Sequence, residues 1–226
     1  MDAEAKDMKL QPVDYRKFRF NKLNTPEFRH LKWILFWPVF GGLFAFLELG
    51  FQPANWHVIR CAADDLIPFC EWFVLPYILW FPFLIFTLLF LLLFDPDQFR
   101  QNMQFITITF FTAVLIYFIY PNCQHLRVPS FLRDNFCTRI VKFYYEFDSD
   151  TNVFPSLHVV GALAMMIAAL NSKYFRAPGW RIFYIVTAVL ISVSTVFIKQ
   201  HSFVDLSGAV ILTVIGYLIV YRRKAK

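Results

Sequence analysis

Two histidines and one aspartate are the residues of this sequence best placed to do chemistry. His201 and Asp205 are four positions apart at the start of an apolar segment, which predicts that they share one helical face. A carboxylate in that position can hold one imidazole nitrogen and leave the other as a nucleophile. His158 begins another apolar segment, where ionisable groups are costly and usually functional. The alternative is that each histidine is an ordinary residue at the end of an apolar segment. That explanation suits a single histidine, but it suits His158, His201 and Asp205 together less well.

The residues around His158 suit an anion. Pro155 is predicted at the first position of the helix that carries His158, where its missing N–H is no loss. The backbone N–H groups of Ser156, Leu157 and His158 would then be free to donate, and the helix dipole would add to their effect. We therefore predict a phosphoryl site there, with the Ser156 hydroxyl as a further donor. Four more candidate donors are predicted at the same end of their segments: Arg127, Ser194, Thr195 and Lys199.

The elements that must position these residues are apolar segments of membrane-spanning length. The 226 residues are 58% hydrophobic and only 17% charged, which is too few charges to cover the surface of a soluble domain. Six segments fall within the roughly 17–25 residues that a membrane helix needs. A soluble protein with buried helices is the alternative, but too little polar sequence remains to enclose them. The six segments are Trp33–Phe51, Trp72–Phe94, Met103–Tyr120, Val153–Leu170, Ile182–Ile198 and Phe203–Tyr221.

The distribution of positive charge predicts the topology. Most of the 22 Lys and Arg residues fall on the side that holds both termini, so we expect both termini in the cytoplasm. The predicted architecture is an all-α, six-transmembrane-helix bundle over residues 33–221. A basic cytoplasmic arm precedes it at residues 1–32, and a basic tail follows at 222–226. Because topology accounts for the net charge of +6, the charge gives no support for nucleic-acid binding. The candidate site residues all lie at the extracytoplasmic ends of their segments.

The four cysteines all fall in the two long loops predicted to lie outside, where disulfides persist. The local pairs Cys61–Cys70 and Cys123–Cys137 are the favoured disulfides, although four thiols allow three pairings. Free thiols are the alternative. The cysteine spacings match no usual zinc pattern, so we predict no metal site.

These residues together resemble the three sequence blocks of the type 2 phosphatidic acid phosphatase superfamily. The resemblance covers roughly residues 33–221, and it implies a six-helix bundle that uses no metal cofactor. It implies that His201 is the nucleophile that becomes phosphorylated, that Asp205 orients it and that His158 protonates the leaving group. Arg127 and Ser156 would hold the phosphate oxygens. The matching residues are Arg127, Pro155-Ser156-Leu157-His158, Ser194 and His201-Ser202-Phe203-Val204-Asp205.

The sequence departs from the family pattern in each block. Tyr120 stands where the first block usually has Lys, and Val128 separates Arg127 from the following Pro. Leu157 replaces the usual Gly of the second block, and Thr195 replaces the usual Arg of the third. Phe-Pro-Ser-Leu-His followed by a Ser-Thr third block also looks like the inositol phosphorylceramide synthase branch, whose members transfer a headgroup between lipids.

The expected function is therefore metal-independent hydrolysis of a lipid phosphate, a phosphomonoester or a diphosphate. A lipid phosphotransferase is the first alternative, and a non-catalytic lipid transporter or scaffold is the second. We expect lipid phosphate and membrane lipids as partners, with no nucleic acid and no cofactor. The short chain without N-x-[ST] sites favours a bacterial plasma membrane. Lys199 is our candidate to supply the charge lost at Thr195, the alternative being an ordinary interfacial lysine that reaches toward headgroups.

Overall fold

The computed structural model describes residues 10–222 of the chain. Within them, five helical segments are long and apolar enough to cross a membrane, and a sixth apolar helix, Leu157–Asn171, is shorter. The predicted ends of the basic arm and the tail, residues 1–9 and 223–226, lie outside the described residues. The five long segments are Arg29–Leu49, Glu71–Phe94, Pro96–Ile119, Pro178–Phe197 and Phe203–Val220.

Several of these segments are built from more than one helix. The first begins as the 3₁₀ helix Arg29–Leu35 and continues as an α-helix, and the second begins as the 3₁₀ helix Glu71–Phe73. Shorter 3₁₀ turns lie at Tyr15–Lys17, Phe20–Lys22 and Lys173–Phe175. The α-helices are α1 (Phe36–Leu49), α2 (Ala62–Leu66), α3 (Val74–Ile78), α4 (Trp80–Phe94), α5 (Pro96–Ile119), α6 (Phe136–Phe147), α7 (Leu157–Asn171), α8 (Pro178–Phe197) and α9 (Phe203–Val220).

Helix α5 begins seven residues before the predicted start of the third segment. The Asp95 side chain accepts a hydrogen bond from the backbone N–H of Gln98, and Pro96 occupies the first helical position. Both features favour a helix start. The sequence prediction followed hydrophobicity alone and so missed the polar first turns of this helix.

Helix α7 lies at the centre of the bundle, where it packs against α4, α5, α8 and α9. Small residues such as Gly161, Ala164 and Ala168 are buried along it and permit close packing. Its 15 residues span about 22 Å, less than the ~30 Å hydrocarbon core of a bilayer. The predicted position of Pro155 is wrong: Ser156 is the N-cap and α7 begins at Leu157, so Pro155 precedes the cap.

The two long loops are joined to each other. Two-residue strands β1 (His57–Val58) and β2 (Asn122–Cys123) pair in parallel, and Cys123 also forms an isolated antiparallel bridge with Thr151. All four cysteines are free thiols, so the predicted local disulfides are not formed. The reason is visible for the second pair, because Cys123 lies in this small sheet while Cys137 is buried in an apolar cluster with Val74 and Val141.

Candidate active site

His201 is held in place by the cap of α9. Ser202 is the N-cap, and the Asp205 carboxylate accepts a hydrogen bond of 2.8 Å from the Ser202 backbone N–H. The same carboxylate oxygen lies 3.2 Å from His201 Nδ1. His201 itself lies just before the helix, and its backbone N–H donates to the carbonyl of Thr195 at 3.1 Å. The pair predicted from a four-residue spacing is thus formed, through a capping box rather than through a shared helical face.

His158 lies in the first turn of α7, facing His201. The two imidazole centroids are 5.7 Å apart. The ring of Tyr77 stacks on His158 at 4.7 Å, and Trp80 contacts it at the same distance. Aromatic faces of this kind fix the orientation of the imidazole. The structure therefore brings together two histidines that are 43 positions apart in sequence and belong to different helix starts.

The start of α7 is hydrogen-bonded to both α9 and α5. The Ser156 backbone N–H donates to the Asp205 carbonyl of α9 at 3.3 Å, and the buried Tyr117 hydroxyl of α5 donates to the Pro155 carbonyl at 2.6 Å. Asn122, fully buried, accepts hydrogen bonds from the backbone N–H groups of Val153 and Phe154. Asn122 was missed by sequence reasoning, because an Asn in a loop carries no signal until its partners are known.

The two histidines open onto a cavity of about 330 Å³. Its polar end contains His158, His201, Gln200, Asn152 and Asp148. Its remaining wall is largely aromatic. The residues of that wall include Trp37, Phe40, Phe44, Tyr77, Trp80, Phe81, Phe110, Tyr117, Tyr144 and Phe147.

Arg127 acts on this cavity through Gln200. Its guanidinium donates to Gln200 Oε1 from Nε at 3.1 Å and from Nη2 at 2.8 Å, and also to the carbonyls of Tyr145 and Ser149. Gln200 lines the cavity, whereas Arg127 does not. The Gln200 Nε2 group is buried beside Tyr77 but makes no hydrogen bond of good geometry. Arg127 thus holds two residues of the cavity lining, Gln200 by its side chain and Ser149 by its carbonyl.

The structure places three of the other predicted phosphate donors away from the cavity. The Lys199 ammonium donates to the carbonyls of Asp64 and Ile67, in the loop between α1 and α3. The hydroxyls of Ser194 and Thr195 are buried and donate to carbonyls one turn earlier in α8. The Lys199 ammonium is therefore satisfied by these carbonyls and does not line the cavity.

The first turn of α7 only partly fits the predicted anion site. Leu157 and His158 line the cavity, as expected. The Ser156 N–H is already bonded to Asp205, and its hydroxyl oxygen accepts a hydrogen bond from the Val159 N–H. Ser156 therefore acts in the structure as a helix cap, and the backbone N–H groups next in line are those of Leu157 and His158.

Asp148 is a cavity residue that sequence reasoning missed. It follows the last residue of α6, and burial raises the pKa of its carboxyl while His201 and Arg127 oppose that shift. Glu48, at the end of α1, holds the loop beside it by accepting hydrogen bonds from Ser149 and from Asn152. Within residues 10–222, no three His, Cys, Asp or Glu side chains are grouped so as to hold a metal ion.

A comparison with known families finds one similarity, in the second half of the chain. The model of the PAP2 superfamily matches residues 121–226. That segment contains every predicted site residue from Arg127 to Asp205, and it leaves out α1 to α5. Members of this superfamily are generally phosphatases or phosphotransferases, so the match supports phosphatase-type activity. No curated protein and no solved structure matches the chain.

Proposed function

We propose that the protein is an integral-membrane lipid phosphate phosphatase that works through a phosphohistidine intermediate. The observation that carries this proposal is the arrangement of His201, Asp205 and His158 at one end of one cavity. Asp205 occupies Nδ1 of His201, which leaves Nε2 to attack phosphorus. The substrate is a phosphomonoester or diphosphate lipid, and no metal ion takes part.

The reaction has two steps. In the first, His201 Nε2 forms a bond to phosphorus while the bond from phosphorus to the lipid oxygen breaks, and His158 gives that oxygen a proton. In the second, water attacks the phosphohistidine, the P–N bond breaks, and His158 takes a proton from the water. Asp205 stabilises the positive charge that His201 carries while it is phosphorylated.

The donors available for the phosphate are the N–H groups of Leu157 and His158 and the amide of Gln200. A helix N-terminus is a ready-made anion site. Gln200, which lines the cavity and is hydrogen-bonded to Arg127, would act in the place of the Lys and Arg that the family pattern has and this sequence lacks. Preorganised donors of this kind stabilise the charge that develops on the equatorial phosphate oxygens.

The aromatic wall supports a lipid as the substrate. Trp37, Phe40 and Phe44 follow helical spacing along α1. The rings of Trp37 and Phe40 contact Phe110 of α5, and the ring of Phe44 stacks on Phe40. One cavity is thus lined by these aromatic rings and by the polar side chains near the two histidines, which suits an amphiphile. We place both termini in the cytoplasm and the cavity at the extracytoplasmic face of a bacterial plasma membrane, on the charge distribution described above.

A lipid phosphotransferase is the second candidate. The Pro155-Ser156-Leu157-His158 block followed by Ser194-Thr195 favours it, because this combination resembles the inositol phosphorylceramide synthase branch. The test is to incubate purified protein with phosphatidic acid, with and without diacylglycerol or ceramide. Released phosphate supports the phosphatase, and a new phosphorylated lipid supports the transferase. A protein that only transports lipid or serves as a scaffold gives neither.

The first prediction concerns the nucleophile. His201→Ala should abolish turnover and the acid-labile phosphoenzyme, because no other imidazole is held by Asp205. His158→Ala should slow turnover while still allowing phosphoenzyme from a substrate with a good leaving group. His125→Ala is the matched control, since that exposed histidine pairs with Asp150 outside the cavity. Normal turnover by His201→Ala would refute the mechanism.

A further inference from the structure

A carboxylate from the first outer loop is buried against the turn that carries the proposed nucleophile. Asp64, in α2, is 3% exposed. One of its oxygens accepts hydrogen bonds from the Ser202 hydroxyl at 2.7 Å and from the Cys61 backbone N–H at 2.8 Å. The other accepts from the Phe203 backbone N–H at 2.7 Å. Asp64 thus satisfies part of the α9 N-terminus from outside that helix, and it lies outside the segment matched by the family model.

These contacts connect Asp64 to the imidazole ring of His201 through Ser202 and Asp205. Asp64 holds the Ser202 hydroxyl, the Ser202 backbone N–H donates to Asp205, and Asp205 holds His201 Nδ1. Burial by itself would raise the pKa of Asp64, but hydrogen bonds from Phe203, Ser202 and Cys61 outweigh it and lower the pKa below its usual value. The carboxylate is therefore charged at neutral pH, next to the positive end of the α9 dipole.

The same loop also makes hydrogen bonds with the residues between α8 and α9. The Lys199 ammonium donates to the Asp64 carbonyl at 2.8 Å, and the Cys70 backbone N–H donates to the Phe197 carbonyl at 3.0 Å. Lys199 has a left-handed backbone conformation, with φ of 58°, that L-residues adopt uncommonly. The α8–α9 turn is thus fixed by a loop 135 residues away in sequence, rather than by its own helices alone.

We propose that Asp64 is a positioning residue of the active site, one that holds the Ser202 turn so that His201 stays paired with Asp205 and faces the cavity. The expected effect on kcat rests on the proposed function, whereas the expected effect on the Ser202 turn does not. Asp64 touches neither His201 nor the cavity, so it acts only through Ser202 and the first turn of α9.

The test compares Asp64→Asn with Asp65→Asn. Asp65 is the neighbouring residue, but its side chain is 60% exposed and pairs with Arg60. We expect Asp64→Asn to lower kcat about 10- to 100-fold with KM changed less than about threefold, because geometry at the nucleophile is lost and substrate contacts are kept. Asp65→Asn should stay within about twofold of the unsubstituted protein. Equal losses in kcat for both variants, or a loss confined to KM, would overturn the proposal.

Hydrogen exchange tests the positioning without any need for activity. The backbone amides of Ser202 and Phe203 should exchange at least about tenfold faster in Asp64→Asn and remain unchanged in Asp65→Asn. Unchanged exchange in Asp64→Asn would overturn the positioning role, whether or not the protein is active. A lack of lipid phosphate hydrolysis by the unsubstituted protein would count against the proposed function alone. If Asp64→Asn does not fold, Ser202→Ala serves instead. It removes the Asp64–Ser202 hydrogen bond and should lower kcat about 3- to 10-fold, and unaltered kcat there refutes the link.

Discussion

Asp148 lies at the end of α6, where it lines the same cavity as the two histidines. Burial raises the pKa of its carboxyl, Glu48 adds to that effect, and His201 and Arg127 oppose it. The protonated form of Asp148 is therefore favoured more in the folded than in the unfolded protein. The resulting contribution to the free energy of unfolding is fully present below the usual pKa of 3.8, and it is lost as the pH rises through the raised pKa of the folded protein.

This linkage predicts the behaviour of Asp148→Asn. The variant keeps a neutral side chain at every pH, so it should unfold at a higher temperature than the unsubstituted protein near pH 7, and the difference should shrink as the pH falls toward 4. Thermal unfolding in detergent across this range measures it. Asp134→Asn is the control, because Arg139 lowers the pKa of the exposed Asp134 carboxyl and the expected slope is small and of opposite sign. A pH-independent difference for Asp148→Asn would contradict the linkage.

For single residues, the sequence was enough to predict which candidate side chains lie together, but not which residues hold them in place. The four-residue spacing of His201 and Asp205, and the free-energy cost of ionisable groups in apolar segments, indicated these two residues and His158. The structure places the three close together. The expectation for Lys199 rested on its proximity to His201 in sequence, but its ammonium donates to carbonyls of the loop between α1 and α3. Asp64, Asn122 and Gln200 make contacts with residues tens of positions away, which no local pattern contains.

Helix α7 depends on a close approach to α4. A methyl group added at Gly161 would lie 2.9 Å from Trp80 Nε1, closer than real contacts allow. Trp80 also packs on the His158 ring, so a displaced indole would disturb the proposed acid. The requirement at Gly161 is therefore for space and not for an unusual backbone conformation.

We expect Gly161→Ala to destabilise the protein by about 1–3 kcal/mol, as overpacking does. Its turnover should fall roughly 10- to 100-fold through movement of His158. Gly42→Ala is the matched control, because an added methyl group there meets nothing within 4 Å. Thermal unfolding and kcat measured on both variants decide the matter, and equal behaviour of the two would show that Trp80 moves aside without consequence.

The apolar segments of the sequence predicted correctly where helices occur, but they predicted the first and last residues of those helices poorly. Hydrophobicity located all five helices of spanning length, because lipid-facing and core-facing residues are both apolar. It overestimated the fourth segment, since Val153 and Phe154 are apolar but belong to the loop that Asn122 holds. The small α2 helix, which carries Asp64, lies in a loop with no periodic pattern that would have marked it.

The proposed topology is a property of the whole molecule and is tested by labelling. Single cysteines replace Ser130 in the second outer loop or Lys173 between α7 and α8, in a background without the four native thiols. A membrane-impermeant thiol reagent applied to intact cells should label Ser130→Cys and spare Lys173→Cys, because the positive charges hold the latter loop inside. The reverse pattern would invert the bundle and move the cavity to the cytoplasmic face.

The mixed lining of the cavity has a consequence for how a lipid is supplied to His201. Moving an acyl chain from a bilayer into water costs about 0.8 kcal/mol per methylene. For the proposed lipid substrate, the wall formed by Trp37, Phe40, Phe44 and Phe110 would offer the upper methylenes an apolar surface while the phosphate approached the two histidines. A substrate that follows this route never leaves its leaflet. Its effective concentration is then its mole fraction among the surrounding lipids, and encounter is governed by two-dimensional diffusion.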